Sequence, residues 1–402
     1  MIPLSEAQQY VLDRCERLAH GLVPLRSARG MVTASAVSAP ERIPPFDNTA
    51  VDGFAVRADD LAGASEATPA RLSVVGTIAA GDAPTVPVGA GQAIRIMTGA
   101  PMPAGADAVA MVEWTTIDGD DVLIDRPVAV GDAVRGAGED LEPGDQVFDA
   151  GTELSPGHLG VLASIGEYEV AVVKRPVVGV FSTGDELIEG PQPLEPGQIR
   201  DANRHTLLAL LERDQFETVD LGLIRDDETA IEQAVRDGAG RCDAIVTSGG
   251  VSMGDYDYVK AVLDRIGDMR WMQVAIKPAK PLAFGLVDGT PVFGLPGNPV
   301  SSMVSFELFA RPALRQMMGH HDLDRPRYRG TTAAAWRRAV DGKTHFVRVG
   351  IERADEGFII TSAGGQGSHQ LTAMAGADAL AVLPDGEGVA AGSELEFFFV
   401  NA

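Results

Sequence analysis

Only two cysteines, Cys15 and Cys242, occur in 402 residues, and there is no CxxC. A disulfide framework and a thiolate zinc site are therefore both excluded as organising devices, and Cys242 reads as a small buried side chain. Long apolar runs are also missing. The chain is 45% hydrophobic, yet no stretch approaches the roughly 20 residues needed to cross a bilayer as a helix. Basic residues are in deficit, 33 against 57 acidic ones, for a formal net charge of −24. Such a surface repels nucleic acid and anionic membrane, so an anionic ligand has to be held by local cations, backbone amides or a metal. Signature motifs are scarce too: there is no GxxxxGK[ST], no GxGxxG after a strand and no HExxH. Neither a P-loop ATPase nor a dinucleotide-binding fold is supported. MIPLSEAQQYVLDRCERL has no basic segment leading into an apolar one, and reads as an amphipathic helix with Ser5 and Gln8 as a capping box. A cytoplasmic location is the expectation.

What is present suggests two to four domains, since the chain exceeds what one core organises. Residues 1–45 read as a helix, a short β segment (Gly30–Val37) and a proline-broken stretch. Residues 46–140 carry short β-like runs (Leu72–Ile78, Ala93–Met97, Ala108–Val112, Val122–Ile124) punctuated by Gly, Pro and Asp, which is a small β-rich module. Within it, Asp52 in PPFDNTAVDGFAVR is either a solvated turn residue or part of a site. Thr98 in MTGAPMPAGAD and Asp140 in GAGEDLEPGD allow the same two readings. Residues 141–173 look like an arm returning to the first segment, with a helix Pro156–Ile165 opened by Ser155, and His158 read as a surface residue.

From residue 174 strands alternate with helices. Strands are expected at Val177–Phe181, Glu217–Ile224, Ala244–Val246, Trp271–Ile276, Leu282–Val287 and Val292–Leu295. Helices are expected at Asn203–Arg213, Thr229–Asp237, Tyr258–Ile266 and from LPGNPVSSM to about Met318. This alternation predicts a parallel sheet covered on both faces, whose ligand crevice lies at the carboxyl ends of the strands. Those ends carry Thr183, Gly184 and Glu186, then Asp226, then Ser248, Gly249 and Gly250, then Lys277 and Lys280, then Pro296, Gly297, Asn298 and Pro299. In DAIVTSGGVSMGDYD the glycines bare backbone amides while Asp255 and Asp257 follow. One reading is a βα turn whose glycines serve packing. The other is a corner where a hard divalent cation lies between carboxylates and a phosphate. Clustering of glycines, lysines and acids at successive strand ends favours the second, and with it a metal-assisted enzyme acting on a phosphate ester or anhydride. From residue 328 the alternation gives way to strands of a small β-barrel or sandwich, interrupted by the glycine-rich loop and short helix of 364–380, where Ser368 or His369 can face a ligand.

FDNTAVDGFAVR, RIMTGAPMP, GEDL, STGDEL, GLIRDD, TSGGVSMGDYDYV, AIKPAKP, LPGNPVSS and GGQGSH follow one another along nearly the whole chain. In their order and spacing they resemble the molybdopterin molybdotransferase family, to which the C-terminal domain of gephyrin also belongs. The resemblance implies an α/β multi-domain protein: an extended arm (1–45 plus 141–173), the β-rich module (46–140), a three-layer molybdopterin-binding α/β domain (174–327) and a C-terminal β-barrel (328–402). It implies a homodimer that inserts molybdate into adenylylated molybdopterin and releases AMP with Mg²⁺ assisting. The partners it implies are the molybdopterin adenylyltransferase and downstream molybdoenzymes, without nucleic acid or membrane. Carried over residue by residue, the functional acids and hydroxyl are Asp52, Thr98, Asp140, Glu186, Asp226 and Asp257, of which Glu186, Asp226 and Asp257 hold the metal. Thr183, Gly184, Ser248, Gly249, Gly250, Lys277, Lys280, Pro296, Gly297, Asn298, Pro299 and Ser368 line the pterin site, and Asp52 and Thr98 arrive from the second subunit. One departure is Gln273, where some members carry a basic residue. A molybdopterin adenylyltransferase and a non-catalytic scaffold of the same fold are the alternatives.

Overall fold

A computed structural model describes residues 1–250 and 258–401 of the chain. It divides into two compact units, one made of residues 1–22, 30–34 and 171–402, the other of 23–29 and 35–170.

The second unit is built on a six-stranded sheet: β1 (Gly53–Val56), β2 (Ala70–Ile78), β3 (Gln92–Ile96), β4 (Ala108–Met111), β5 (Thr115–Asp118) and β6 (Asp121–Ile124), in the order β4-β1-β3-β2-β6-β5. Phe54, Val56, Leu72, Val122 and Ile124 form one buried cluster, and Ala55, Ile94, Ile96 and Val109 another, so neighbouring residues of a strand serve opposite faces. The stretch read as a strand at Gly30–Val37 is mostly irregular. Only its end pairs within this unit, Val37–Ser38 with Gln146–Phe148. The arm helix, Pro156–Ser164, has its cap as expected, but His158 is no idle surface residue. Its Nδ1 accepts from the Ser155 amide at 3.0 Å while the His158 amide donates to Ser155 Oγ at 3.4 Å, closing a capping box.

The first unit contains a second sheet of β7 (Val177–Thr183), β8 (Glu217–Ile224), β9 (Ala244–Ser248), β10 (Asp268–Gln273), β11 (Pro281–Val287) and β12 (Thr290–Leu295), ordered β8-β7-β9-β12-β11-β10. The first four run parallel, and β11 is antiparallel to both its neighbours, β12 and β10. Along β9, Ala244 and Val246 join one buried cluster and Ile245 the other, which is why the strand reads as an unbroken apolar run. Helices α1 (Leu4–Leu12) and α3 (Asn203–Arg213) pack on one face; α4 (Glu228–Ala239) and α5 (Tyr258–Ile266) cover the other, with the arm helix counted as α2. Five further strands close a barrel: β13 (Tyr328–Thr332), β14 (Thr344–Ala354), β15 (Gly357–Ser362), β16 (Ala379–Leu383) and β17 (Glu394–Phe399), with β14 pairing both β15 and β16. Ile276, expected as the last residue of a strand of the α/β sheet, instead pairs together with Lys277 in parallel with Thr344–His345 at the start of β14.

Two local expectations are corrected. Pro3 occupies the N-cap of α1 and no side chain caps it, so Ser5 and Gln8 form no capping box. The helix expected from 299 to 318 is α6 (Pro299–Ser305) and α7 (Arg311–Met317) separated by a π-turn, Phe306–Ala310. Pro312 has no amide hydrogen, so the carbonyl four residues back, Leu308 O, loses its helical donor. Gln8 Nε2 supplies one at 3.1 Å. Replacing Gln8 by Ala should therefore strand a half-buried carbonyl and destabilise this unit by about 1–3 kcal/mol. In a Pro312→Ala background, where an amide is restored, the same change should cost less. Thermal unfolding and amide exchange of residues 306–317 measure both, and equal costs in the two backgrounds would refute the account.

Candidate functional site

All four parallel strands end at one edge of the α/β sheet, and the antiparallel turn of the chain between β10 and β11 lies at that same edge, because Gln273 pairs with Pro281. Fold topology thus gathers Thr183, Ser248, Lys277, Lys280 and Pro296 along one rim, as expected for an open α/β sheet.

One part of the rim is acidic. Thr183, buried at the end of β7, donates its hydroxyl to Asp226 Oδ1 at 2.5 Å, and the Asp226 amide donates to Asp185 Oδ1 at 3.3 Å. The neighbouring Asp227 has a different task, capping α4 by accepting from the Ala230 amide at 2.8 Å. Glu186 is exposed and folds back over Gly184, whose φ of +152° favours glycine. Gly249 has φ +100°, and a Cβ there would meet Thr183 O at 2.9 Å, so this turn also demands glycine. Asp257 lies outside the described residues, and among those described no three His, Cys, Asp or Glu side chains form a metal-holding group.

The other part of the rim is basic. A cavity of about 630 Å³ is lined by Lys277, Lys280, Lys343, Pro296, Asn298 and Ser368, together with Ser301 and Gln366. Lys277 and Lys280 are exposed, and among the described residues neither makes an ion pair. Lys343 bonds Asp341 Oδ2 at 3.1 Å. Lys343 escaped the sequence reading because it belongs to the barrel. It reaches the lysine turn through the β14 pairing, in which the Thr344 amide donates to Ala275 O at 3.0 Å. Arg338, nearly buried, fixes that corner by bonding the carbonyls of Lys343 and Pro384 at 2.9 Å each and Asp385 Oδ1 at 2.9 Å. Ser368 is placed by two anchors: its carbonyl accepts from the Val300 amide at 3.1 Å, and buried Arg348 bonds the carbonyls of Gly365 and Gly367. Within the lysine turn Ala279 holds φ +71°, a costly conformation for a residue with a Cβ and of the kind that ligand sites retain.

Asn203 and Arg204 also escaped the sequence reading. Asn203 Nδ2 bonds both Ser248 Oγ and Gly297 O at 2.7 Å, joining two turns of the rim. Pro299 opens α6 at its first position, as expected for a residue without an amide hydrogen.

In the other unit, Asp52 and Thr98 form a pair. The Thr98 amide donates to Asp52 Oδ1 at 2.7 Å and its hydroxyl to the same oxygen at 2.8 Å. These bonds, the amide first, hold the Asp52 carboxyl below the usual carboxylate range. Asp140 is exposed in its turn, with its amide bonded to Ile43 O at 2.9 Å.

A slightly larger cavity, about 680 Å³, lies between α1 and residues 321–326. Its cation, Arg325, is already held by Asp214 at 2.9 Å and Glu307 at 2.9 Å, and Asp322 and Asp324 line the same space. It lacks the free positive charge that distinguishes the rim cavity.

Comparison with known proteins accounts for all three regions. Residues 2–166 match the MoeA N-terminal region (domains I and II), 179–316 a probable molybdopterin binding domain, and 330–399 the MoeA C-terminal region (domain IV). The chain is 38% identical to a molybdopterin molybdenumtransferase of Haemophilus influenzae, over 90% of this chain and 89% of that one. It is 39% identical to molybdopterin molybdenumtransferase 2 of Mycobacterium tuberculosis, over 98% and 99%. A molybdopterin biosynthesis MoeA protein from Pyrococcus horikoshii superposes with a TM-score of 0.84 at 30% identity, covering 100% of both chains. The mostly parallel sheet with its glycine and lysine turns, the β module and the terminal barrel are therefore one inherited whole, and this chain belongs to the MoeA family of molybdopterin molybdenumtransferases.

Proposed function

We propose that this chain inserts molybdenum from molybdate into adenylylated molybdopterin and releases AMP, with Mg²⁺ assisting. The observation that carries the reading is the rim cavity with two lysines that make no ion pair among the described residues, in a protein whose net charge is −24. Lys343 is balanced by Asp341, which leaves the charges of Lys277 and Lys280 to face a dianion such as molybdate. Ser368 adds a hydroxyl donor. Lysines suit this task as compact point cations with several donors. In the same reading the Gly250 amide, with Lys277, holds the pterin phosphate, while the Gly249 amide is spent on Leu295 O.

Mg²⁺ ordinarily uses one or two carboxylates and completes its shell with substrate phosphate and water. Glu186 and Asp226 flank the Thr183–Gly184 corner and offer hard oxygens of that kind, with Asp257 as a third candidate. Bound there, the cation would neutralise charge developing on the anhydride as AMP leaves. Thr183 orients Asp226 by donating to one of its oxygens, and among the described residues the other takes no hydrogen bond. Asp52 and Thr98 complete the site from a second subunit of a homodimer; sedimentation showing only a monomer would remove that part of the reading.

Incubation with adenylylated molybdopterin, molybdate and Mg²⁺ should release AMP in a molybdate-dependent manner, and Asp226→Ala should abolish it. Lys280→Gln and Lys343→Gln should each raise the KM for molybdate by about tenfold, the loss of one charge-assisted hydrogen bond. No molybdate-dependent AMP would end the proposal, and unchanged KM values would remove the lysine cavity from it.

Thr98→Val keeps the amide bond to Asp52 and deletes the hydroxyl bond. Because the folded-state pKa of Asp52 is depressed, its charge persists as pH falls below the ordinary carboxylate range and is lost only on passing the lowered value. The variant's Asp52 should titrate at higher pH, part of the way back to the usual value, moving the acid limb of kcat/KM with it. Carboxyl NMR and a pH–rate profile check the two shifts, and an unmoved NMR titration would contradict the assigned cause.

A further inference from the structure

Two turns of the rim have no stiffness of their own. The Ser248–Gly250 turn carries φ values of +100° and +66° at its glycines, and the Pro296–Asn298 turn contains Gly297. They lie against each other: the Gly249 amide donates to Leu295 O at 3.1 Å, and a Cβ on Gly297 would sit 3.8 Å from Gly249 Cα. Amides that grip a phosphate have to be held within about half an ångström of their working positions, so something outside the glycines must fix them.

Asn203 is placed to do so. Both protons of its Nδ2 are used, one on Ser248 Oγ and one on Gly297 O, each at 2.7 Å. A carbonyl oxygen only accepts, so the Gly297 contact determines which end of the carboxamide faces the turns and makes Ser248 Oγ an acceptor. The base from which Asn203 reaches is rigid. Asp201, almost fully buried, accepts from Ser182 Oγ at 3.1 Å and from the Arg204 amide at 3.2 Å. Arg204, 2% exposed, bonds Asp201 Oδ2 through Nε at 3.0 Å and both Asp220 oxygens through Nη1 at 2.6 and 2.5 Å. Its Nη2 lies 2.7 Å from Glu189 Oε1 but off the line of a hydrogen bond, an ionic contact to the loop that follows Glu186. Residues 201–204 therefore tie β7 through Ser182, β8 through Asp220, β9 through Ser248 and the turn after β12 through Gly297.

We infer that Asn203 is a positioning residue: its carboxamide locks the Ser248–Gly250 and Pro296–Asn298 turns together and so sets the backbone amides that receive the pterin phosphate. The inference rests on the proposal that these turns face that phosphate. Asn203→Ala should raise the KM for adenylylated molybdopterin about 30-fold, the combined effect of two hydrogen bonds of ordinary net strength. It should leave kcat near the wild-type value and leave the melting temperature unchanged. Ser248→Ala, which removes one of the two bonds, should show part of that rise, and adding it to Asn203→Ala should have little further effect. Asn203→Asp keeps the shape but has no donor for Gly297 O, so it should behave like the alanine variant; it decides the matter where Asn203→Ala fails to fold. Wild-type KM in Asn203→Ala or Asn203→Asp alongside a raised KM in Gly250→Ala would overturn the role of Asn203 and leave the site reading standing. Wild-type KM in all three would overturn the site reading itself. A lowered melting temperature with unchanged KM would show a structural role only.

Discussion

A protein with 57 acidic residues against 33 basic ones can hold an anion only where something local reverses the field. Most of its guanidinium groups are not available for that. Arg213, Arg311 and Arg325 are bound up with Asp214 and Glu307, Arg204 with Asp201 and Asp220, and Arg236 and Arg265 with Glu232. Against this background Lys277 and Lys280, without ion pairs among the described residues, are conspicuous. Arg348 contributes in another way. Its Nε and Nη2 protons go to the carbonyls of Gly365 and Gly367 and, among the described residues, no carboxylate pairs with it, while burial lowers its pKa. The loop that presents Ser368 is thus fastened without bringing an acid to the cavity.

The cavity exists because two structural layers meet at a short ladder. Ile276 and Lys277 leave the α/β sheet and pair with Thr344 and His345 of the barrel, which carries Lys343 to the lysine turn. His345 shows what that position requires. It is 9% exposed, bonds Asp341 at 3.1 Å, and is held below its ordinary pKa first by burial and then by the positive groups Arg338 and Lys277. Asp341 thereby serves both Lys343 and His345, and its own pKa is driven down by those hydrogen bonds against the cost of burial. One carboxylate so placed anchors Lys343 without neutralising the other two lysines.

Much of this was legible in the sequence, and the parts that were not share a cause. The strand ends could be read because glycines, acids and lysines recur where an alternating pattern says strands stop, and that pattern is local. Taken by residue type alone Asp226 and Asp227 are equivalent, and it is the family resemblance that singles out Asp226; the fold separates them, since Thr183 faces the first and the Ala230 amide the second. Lys343, Asn203 and Arg204 looked like ordinary surface or helix residues because their partners are remote in the chain. The same holds for the π-turn: Pro312 is visible in the sequence, but the residue that compensates it, Gln8, is some three hundred positions away. Side chains whose meaning depends on long-range pairing are the ones that local periodicity misses.

Gln273 is where sequence and structure bear on each other most directly. A basic residue is expected there in some relatives, and its absence suggests a weaker hold on an oxyanion. In the fold, Met272 is buried and Gln273 exposed at the last rung of β10, opposite Pro281 and so next to Lys280. A cation at 273 would add a charge close to Lys277 and Lys280, and like charges so close raise the cost of keeping each protonated unless an anion is bound. With Lys343 held by Asp341 and two lysines without ion pairs among the described residues, the cavity carries the charge that the proposed dianion would need. Neutral Gln273 is consistent with that balance, because a further unpaired cation there would exceed the two charges that a dianion needs.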